Sequence, residues 1–166
     1  MTAVWVLVLV AVVVLAYLGM WRGWQARVRR SRAALPELPT PPAAGERGAV
    51  LAAAEGTYVS TTTEGNWLDR VAAHRLGSRS LGSLTVHERG LHFSRGRDVP
   101  LWVAAAELRD VCDERAQAGK VLPGGGIVLV TWRHGDARLD TGFAPRRDAD
   151  VQPLLHAVTD LLEEVS

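Results

Sequence analysis

Apolar residues follow three different rules along this chain. The first is an unbroken run, Ala3 to Trp21, nineteen residues with no charged, amide or proline side chain. As a helix it covers roughly 28 Å, close to the thickness of a bilayer's hydrocarbon layer. Seven of its residues are valine, and Val4 to Val10 alternates like a strand. A lone strand in lipid would leave its backbone groups unpaired, so the run is expected to form a single transmembrane helix over residues 1–22.

The second rule is short alternation. Ala49 to Glu55 reads as a short helix. Gly56 to Thr63 is dense in β-branched and aromatic residues and reads as a strand, broken by Glu64-Gly65-Asn66. Trp67 to Ala73 reads as one or two helical turns, with Trp67, Leu68 and Val71 on one side. Ser80 to His87 alternates from Leu84 onward. Glu88-Arg89-Gly90 turns it into Leu91-His92-Phe93, which ends in the charged tip Ser94 to Asp98. Asp98 to Val103 is a strand that Pro100 restricts to an edge or a strand start. Leu108 to Arg115 does not alternate cleanly, and Gly119 to Gly126 is a loop. Ile127 to Trp132 is the most apolar strand and the expected centre of the sheet. His134-Gly135-Asp136 then turns it back into Ala137 to Phe143.

The third rule is helical. Val151, Leu154, Leu155, Val158, Leu161, Leu162 and Val165 form one apolar stripe, with Asp150 as the expected N-cap and Pro153 inside the first turn. The stripe is expected to pack on the sheet. The fold class is therefore α+β, mainly β: an N-terminal single transmembrane helix, then a curled antiparallel sheet or barrel of about seven strands capped by a C-terminal helix. The expected divisions are the anchor at 1–22, a basic juxtamembrane segment at 23–34, a proline-rich spacer at 35–48 and the domain at 49–166. The spacer LPELPTPPAAGERG carries four prolines, which favour an extended, semi-rigid connection.

Charge sets the topology. Nothing basic precedes the span except the N-terminal amine, whereas Arg22, Arg27, Arg29, Arg30 and Arg32 follow it. Short basic flanks stay cytoplasmic, so the N-terminus is expected outside and the C-terminal domain in the cytoplasm of a single-pass cell-membrane protein. A cleaved signal peptide fits less well, because its charge would come first and Tyr17 to Trp21 is too bulky for a cleavage site. Trp21 and Trp24 suit the headgroup layer, and the five arginines suit anionic lipid headgroups. Beyond residue 34, fourteen basic residues face eighteen acidic ones, which argues against a nucleic-acid partner. Cys112 stands alone, so no intramolecular disulfide can form.

No motif carries chemistry. The five histidines form no zinc-site spacing, Gly124-Gly125-Gly126 lacks the helix or Lys-Ser/Thr of a phosphate loop, and no G-x-S-x-G occurs. Asp69, Asp140 and Glu107 are candidates for an acid pair, against which Asp69-Arg70 and Arg138-Asp140 read as structural ion pairs. Catalytic, cofactor-binding and metal residues are expected to be absent. One surface patch is a candidate for a ligand or partner: Arg89, Arg95 and Arg97, with His87 and His92, around a hairpin tip.

The stretches TYVSTTTEGNWLDRVAAHRLGSRS, LTVHERGLHFSR, VPLWVAAAELRDV and IVLVTWRHGDARLDTGF, spread over about Gly56 to Val165, resemble actinobacterial membrane-anchored proteins that carry a bacterial pleckstrin-homology-like (PH-like) domain. The resemblance implies two roughly orthogonal antiparallel sheets closed at one end by the C-terminal helix. It implies no catalytic or binding residue. The basic cluster with which eukaryotic PH domains bind inositol lipids is missing around Glu64-Gly65-Asn66. The expected function is a non-enzymatic, membrane-tethered PH-like adaptor that binds a protein partner. The alternative is an accessory subunit of a membrane transport or export complex.

Overall fold

The computed structural model describes residues 12–23, 37–114 and 126–165. Residues 12–23 are helical, and the large apolar side chains from Val12 to Trp21 are exposed. The first eleven residues of the expected span lie outside the described residues, as do residues 24–36 with Trp24, Arg27, Arg29, Arg30 and Arg32. Among the described residues no helix is long and apolar enough to cross a membrane.

Eight antiparallel strands follow: β1 (Val50–Thr63), β2 (Asn66–Arg70), β3 (Ser80–His87), β4 (Gly90–Arg95), β5 (Asp98–Ala104), β6 (Leu108–Asp113), β7 (Val128–His134) and β8 (Ala137–Pro145). The sheet order is β5-β4-β3-β1-β8-β7-β6, with β2 paired to β1 off that path. A helix, Val151–Val165, closes the domain. This is the expected mainly-β architecture with a C-terminal helix, built from eight strands rather than about seven.

The central strand is β1, not the more apolar β7. Its first half pairs with β3, from Val50↔His87 to Tyr58↔Ser80, and its second half pairs with β8, from Gly56↔Pro145 to Thr63↔Leu139. The β8 register shifts between Tyr58 and Ser60, where β1 passes from one half of the sheet to the other. Only at Gly56 to Tyr58 is β1 paired with both β3 and β8. There a side chain on Gly56 would collide with the Ala144 carbonyl oxygen, and one on its partner Gly82 with the Ser94 carbonyl oxygen. The bend thus depends on two facing glycines.

Two helical readings give way to strands. Ala49 to Glu55 belongs largely to β1: Ala52, Ala53 and Ala54 pair with Val86, Thr85 and Leu84, and Ala54 is buried in the core. Alanine favours helix locally, but cross-strand pairing and burial override that preference. Trp67 to Arg70 is in β2, because the Glu64-Gly65 turn folds it back on β1 with Thr63 opposite Asn66. Gly65 takes the positive φ, 71°, that this turn requires. Trp67 and Leu68 are consequently exposed, and Val71 alone of the three is buried. Pro100 lies on β5, an edge strand, as its missing N–H dictates.

The inner face joins Leu84, Phe93 and Leu101 from one half of the sheet to Val130, Trp132 and Phe143 from the other. Phe93 bridges the halves edge-on, 6.1 Å from Tyr58 and 6.4 Å from Phe143 between ring centroids. Val151, Leu154, Val158 and Leu161 of the helix are each at most 1% exposed and complete this core, each worth about 1.5–3 kcal/mol on burial. The helix is entered through a 3-10 turn, Asp148–Asp150. Asp150 does not cap it: its carboxylate accepts from Nε and Nη2 of Arg147, at 3.0 and 2.9 Å.

The proline-rich segment is not a free spacer from residue 37 onward. Leu38 packs against the core, and the Glu37 carbonyl accepts a hydrogen bond from His134 Nε2 at 3.2 Å. The Ala49 N–H donates to Glu88 Oε2 at 2.9 Å, and the Arg89 N–H to the Arg47 carbonyl at 3.2 Å. Residues 37–49 form a strap laid along the domain from the end of β7 to the β3–β4 turn.

Gly56→Ala is expected to destabilise the domain by about 1–3 kcal/mol through overpacking at the bend. An unchanged midpoint in urea unfolding would show that β1 can relax there without cost.

Candidate functional site

A chain of hydroxyls runs through the core beside the bend in β1. Tyr58, Thr61, Thr141 and Trp132 are each 0% exposed. The Tyr58 hydroxyl donates to the Leu76 carbonyl at 2.9 Å, so its oxygen accepts from Thr61 Oγ1 at 2.6 Å. Thr61 Oγ1 then accepts from Thr141 Oγ1 at 2.7 Å, and Thr141 Oγ1 accepts from the Trp132 indole N–H at 2.9 Å. Every hydroxyl gives one proton and takes one, which is how polar groups survive in a dry core. Burial pushes the Tyr58 phenol up to about 12, against smaller opposing effects of the Thr61 hydrogen bond and of Arg95.

Arg95 stands over this chain, its guanidinium carbon 5.2 Å from the Tyr58 ring centroid. It is 1% exposed. Its guanidinium donates to the carbonyls of Val99 (2.9 Å from Nε), Arg75 (3.3 Å) and His74 (3.3 Å). His74 and Arg75 have φ of 51° and 56°, a left-handed backbone that costs non-glycine residues about 1–2 kcal/mol each. Arg95 therefore pins a strained turn, and this corrects its place in the expected ligand patch. Arg89 lies in the β3–β4 turn and donates to the Glu46 carbonyl of the strap at 3.2 Å, whereas Arg97 lies in the β4–β5 turn at the opposite end of β4. The structure does not bring the three arginines together.

The carboxylates also resolve into separate duties. Asp140 accepts the Gly65 N–H at 2.9 Å and Thr131 Oγ1 at 2.7 Å. Asp69 accepts Thr63 Oγ1 at 2.9 Å, and Glu107 Oε1 lies 4.0 Å from His134 Nδ1. Arg138 meets Glu64 at 3.5 Å rather than Asp140. Among the described residues no group of three or more His, Cys, Asp or Glu could hold a metal ion.

Two concave surfaces stand out among the described residues. A recess of about 140 Å³ between the β1–β2 hairpin and β8 is lined by Trp67, Arg70, Glu114, Leu129, Asp140 and Gly142. Burial, then Asp140, raises the Glu114 carboxyl. A wider, shallower cleft of about 580 Å³ crosses β1 and β3 at the start of the helix, lined by small and charged side chains such as Ala53, Ser83, Thr85 and Arg146. Sequence reasoning missed both surfaces, together with the strap. The available signal was the Trp67-Leu68 pair next to a two-residue turn.

The model of the bacterial PH domain-like family matches residues 35–159. The chain belongs to that family. The match begins at the strap, in keeping with residues 37–49 being packed on the PH-like domain. No curated protein matches the chain in sequence. Among solved structures, a chain of the 8S snRNP assembly intermediate is similar with a TM-score of 0.51 and 10% identity, over 76% of this chain and 88% of that one. A structure of Vav1 with an allosteric inhibitor is similar with a TM-score of 0.45 and 11% identity, over 86% of this chain and 34% of that one. Tyr58, Thr61, Trp132 and Thr141 of the hydroxyl chain, and Asp140, which holds the Gly65 N–H, all lie within the matched range.

Thr141→Val should cost about 1–3 kcal/mol, because it strands the Trp132 N–H and the Thr61 oxygen in the core. Urea unfolding measures this, and a loss no larger than that of an exposed threonine would exclude the chain as a structural element. Cys112 is exposed, and its thiol is raised by burial and then by Asp110, Glu114, Asp140 and Asp113. Since the thiolate is the reactive form, its alkylation at neutral pH should be slower than that of a small free thiol and should keep accelerating at pH values where the free thiol has levelled off.

Proposed function

We propose that this protein is a non-enzymatic, membrane-tethered PH-like module that holds a protein partner at the cytoplasmic face of the bilayer. One observation carries the tether: helical residues 12–23 keep their large apolar side chains exposed, from 43% at Leu18 to 73% at Met20. Such a surface on a polypeptide in water marks a contact still to be made. The apolar run that leads into it, and the arginines that follow it, suit a bilayer entered with the N-terminus outside. In this reading Arg22, Arg27, Arg29, Arg30 and Arg32 lie against anionic headgroups beside Trp21 and Trp24.

Partner binding is supported by the shape of the domain rather than by chemistry. The hydroxyl chain, Arg95 and Asp140 serve the fold. The wide cleft over Ala53, Ser83 and Thr85 has a floor of small side chains and charges of both signs, a surface suited to another polypeptide. The second reading, an accessory subunit of a transport or export complex, would place the main contact on the apolar helix instead.

A photo-crosslinking residue at Ser83 or Thr85 of the full chain, in membranes, is expected to give a discrete protein adduct. That adduct should persist when residues 3–21 are replaced by an unrelated span. Loss of the adduct on replacement favours the accessory-subunit reading, and no adduct from either position overturns the cleft as a partner surface.

A further inference from the structure

We propose that His134 is a proton-operated latch on the strap, holding residues 37–45 on the domain when both ring nitrogens are protonated and loosening them when Nδ1 is bare. The latch belongs to the domain itself and goes beyond the tethered reading. Only its effect on the tether's reach rests on that reading.

His134 is 8% exposed at the end of β7. Its Nε2 stands 3.2 Å from the Glu37 carbonyl oxygen, which can only accept, so Nε2 carries a proton. In the neutral ring Nδ1 is then a bare lone pair. That lone pair faces a carboxylate: Glu107 Oε1, in the 3-10 turn Ala105–Glu107, is 4.0 Å away. Neither Nδ1 nor Glu107 Oε2 has a hydrogen-bond partner, although both atoms are buried. Two acceptor groups thus oppose each other across a gap about 1 Å longer than a hydrogen bond. One added proton turns this opposition into a charge-assisted N–H···O bond and ties the strap, through the ring, to the 3-10 turn.

Among the described residues Glu107 is the one acid within ion-pair reach of the ring. On the ring's own hairpin, Asp136 is exposed in the turn, and Arg133 lies opposite Arg138, which reaches Glu64. On β6, Arg109 donates to the Ala106 and Leu108 carbonyls. The closing helix turns apolar side chains inward and leaves His156, Asp160, Glu163 and Glu164 exposed. The Glu37 side chain is exposed as well. A proton on Nδ1 is therefore felt first by Glu107.

The other end of the strap is held independently. The Arg47 carbonyl and the Ala49 N–H bond to the β3–β4 turn, and His87 Nδ1 lies 3.4 Å from the Gly48 carbonyl. Opening at His134 thus lifts Leu38 off the core without disturbing β1. With the strap closed, thirteen residues, 24–36, separate the N-terminal helix from the domain, a span of at most about 45 Å. With it open, residues 24–45 do so, at most about 75 Å. The closed strap takes up the proton that the open one lacks, so closure strengthens as pH falls.

The test uses the full chain in detergent micelles, in a Cys112→Ser background carrying Leu38→Cys. Labelling by a methanethiosulfonate is measured against Leu81→Cys, an exposed reference that removes the pH dependence of the thiol itself. Because a cysteine at 38 weakens the strap's apolar anchor, the Leu38 methyl resonances of the unsubstituted chain are followed in parallel. Protection at position 38 is expected to rise about tenfold from about pH 8 to about pH 5.5, the range in which histidine changes charge. His134→Gln, which keeps a donor for the Glu37 carbonyl, and Glu107→Gln should each flatten that profile. A flat profile for the parent chain in both measurements overturns the latch, and so does a pH dependence that survives either substitution. Vesicle flotation of the parent chain is read separately, and its failure would sink the tethered reading while leaving the latch in place.

Discussion

One strand has to belong to both halves of the sheet. The first half of β1 is committed to β3 and its second half to β8, so the whole domain turns on a bend of a few residues between Gly56 and Ser60. Side-chain volume is what makes such a bend expensive, and the facing pair Gly56 and Gly82 removes it where β1 is flanked on both sides. Once β1 is bent, the two inner faces meet over Tyr58, Phe93 and Phe143, and the C-terminal helix covers what they leave open.

The polar interior is the consequence of that geometry. At the bend β1 turns Tyr58 and Thr61 inward, and Thr141 and Trp132 face them from β8 and β7. The four groups pass hydrogen bonds in one direction to the Leu76 carbonyl, and Arg95 fastens the neighbouring strained turn to β5 by donating to the His74 and Arg75 carbonyls and to that of Val99. Arginine suits this role because its planar fork can serve several acceptors at once while its charge lies against an aromatic face. The buried threonines, Trp132 and Asp140 thus support structure.

The strap alters how the domain would sit on its tether. A proline-rich segment read as an extended spacer would let the domain roam. With residues 37–49 fixed to His134, Glu88, Arg89 and the core, the connection to the N-terminal helix shortens to residues 24–36 and emerges at one defined end.

The sequence by itself determined the mainly-β class with its closing helix, the hairpins at Glu88-Arg89-Gly90 and His134-Gly135-Asp136, the restriction of Pro100 to an edge or a strand start and the buried stripe from Val151 to Leu161. These rest on local periodicity, turn chemistry and a missing N–H, all of which are carried by neighbouring residues. Tertiary structure alone decided that Ala52 to Ala54 are strand, that Trp67 and Leu68 face outward, that Arg95 is buried, and that residues 37–49 are part of the domain. For three of these the deciding partner is remote in sequence: β3 for the alanines, the 74–75 turn for Arg95, and His134, ninety-seven positions away, for Glu37. An arginine's charge marks it for the surface until three inward-pointing carbonyls are brought together around it, and only the folded chain can bring them together.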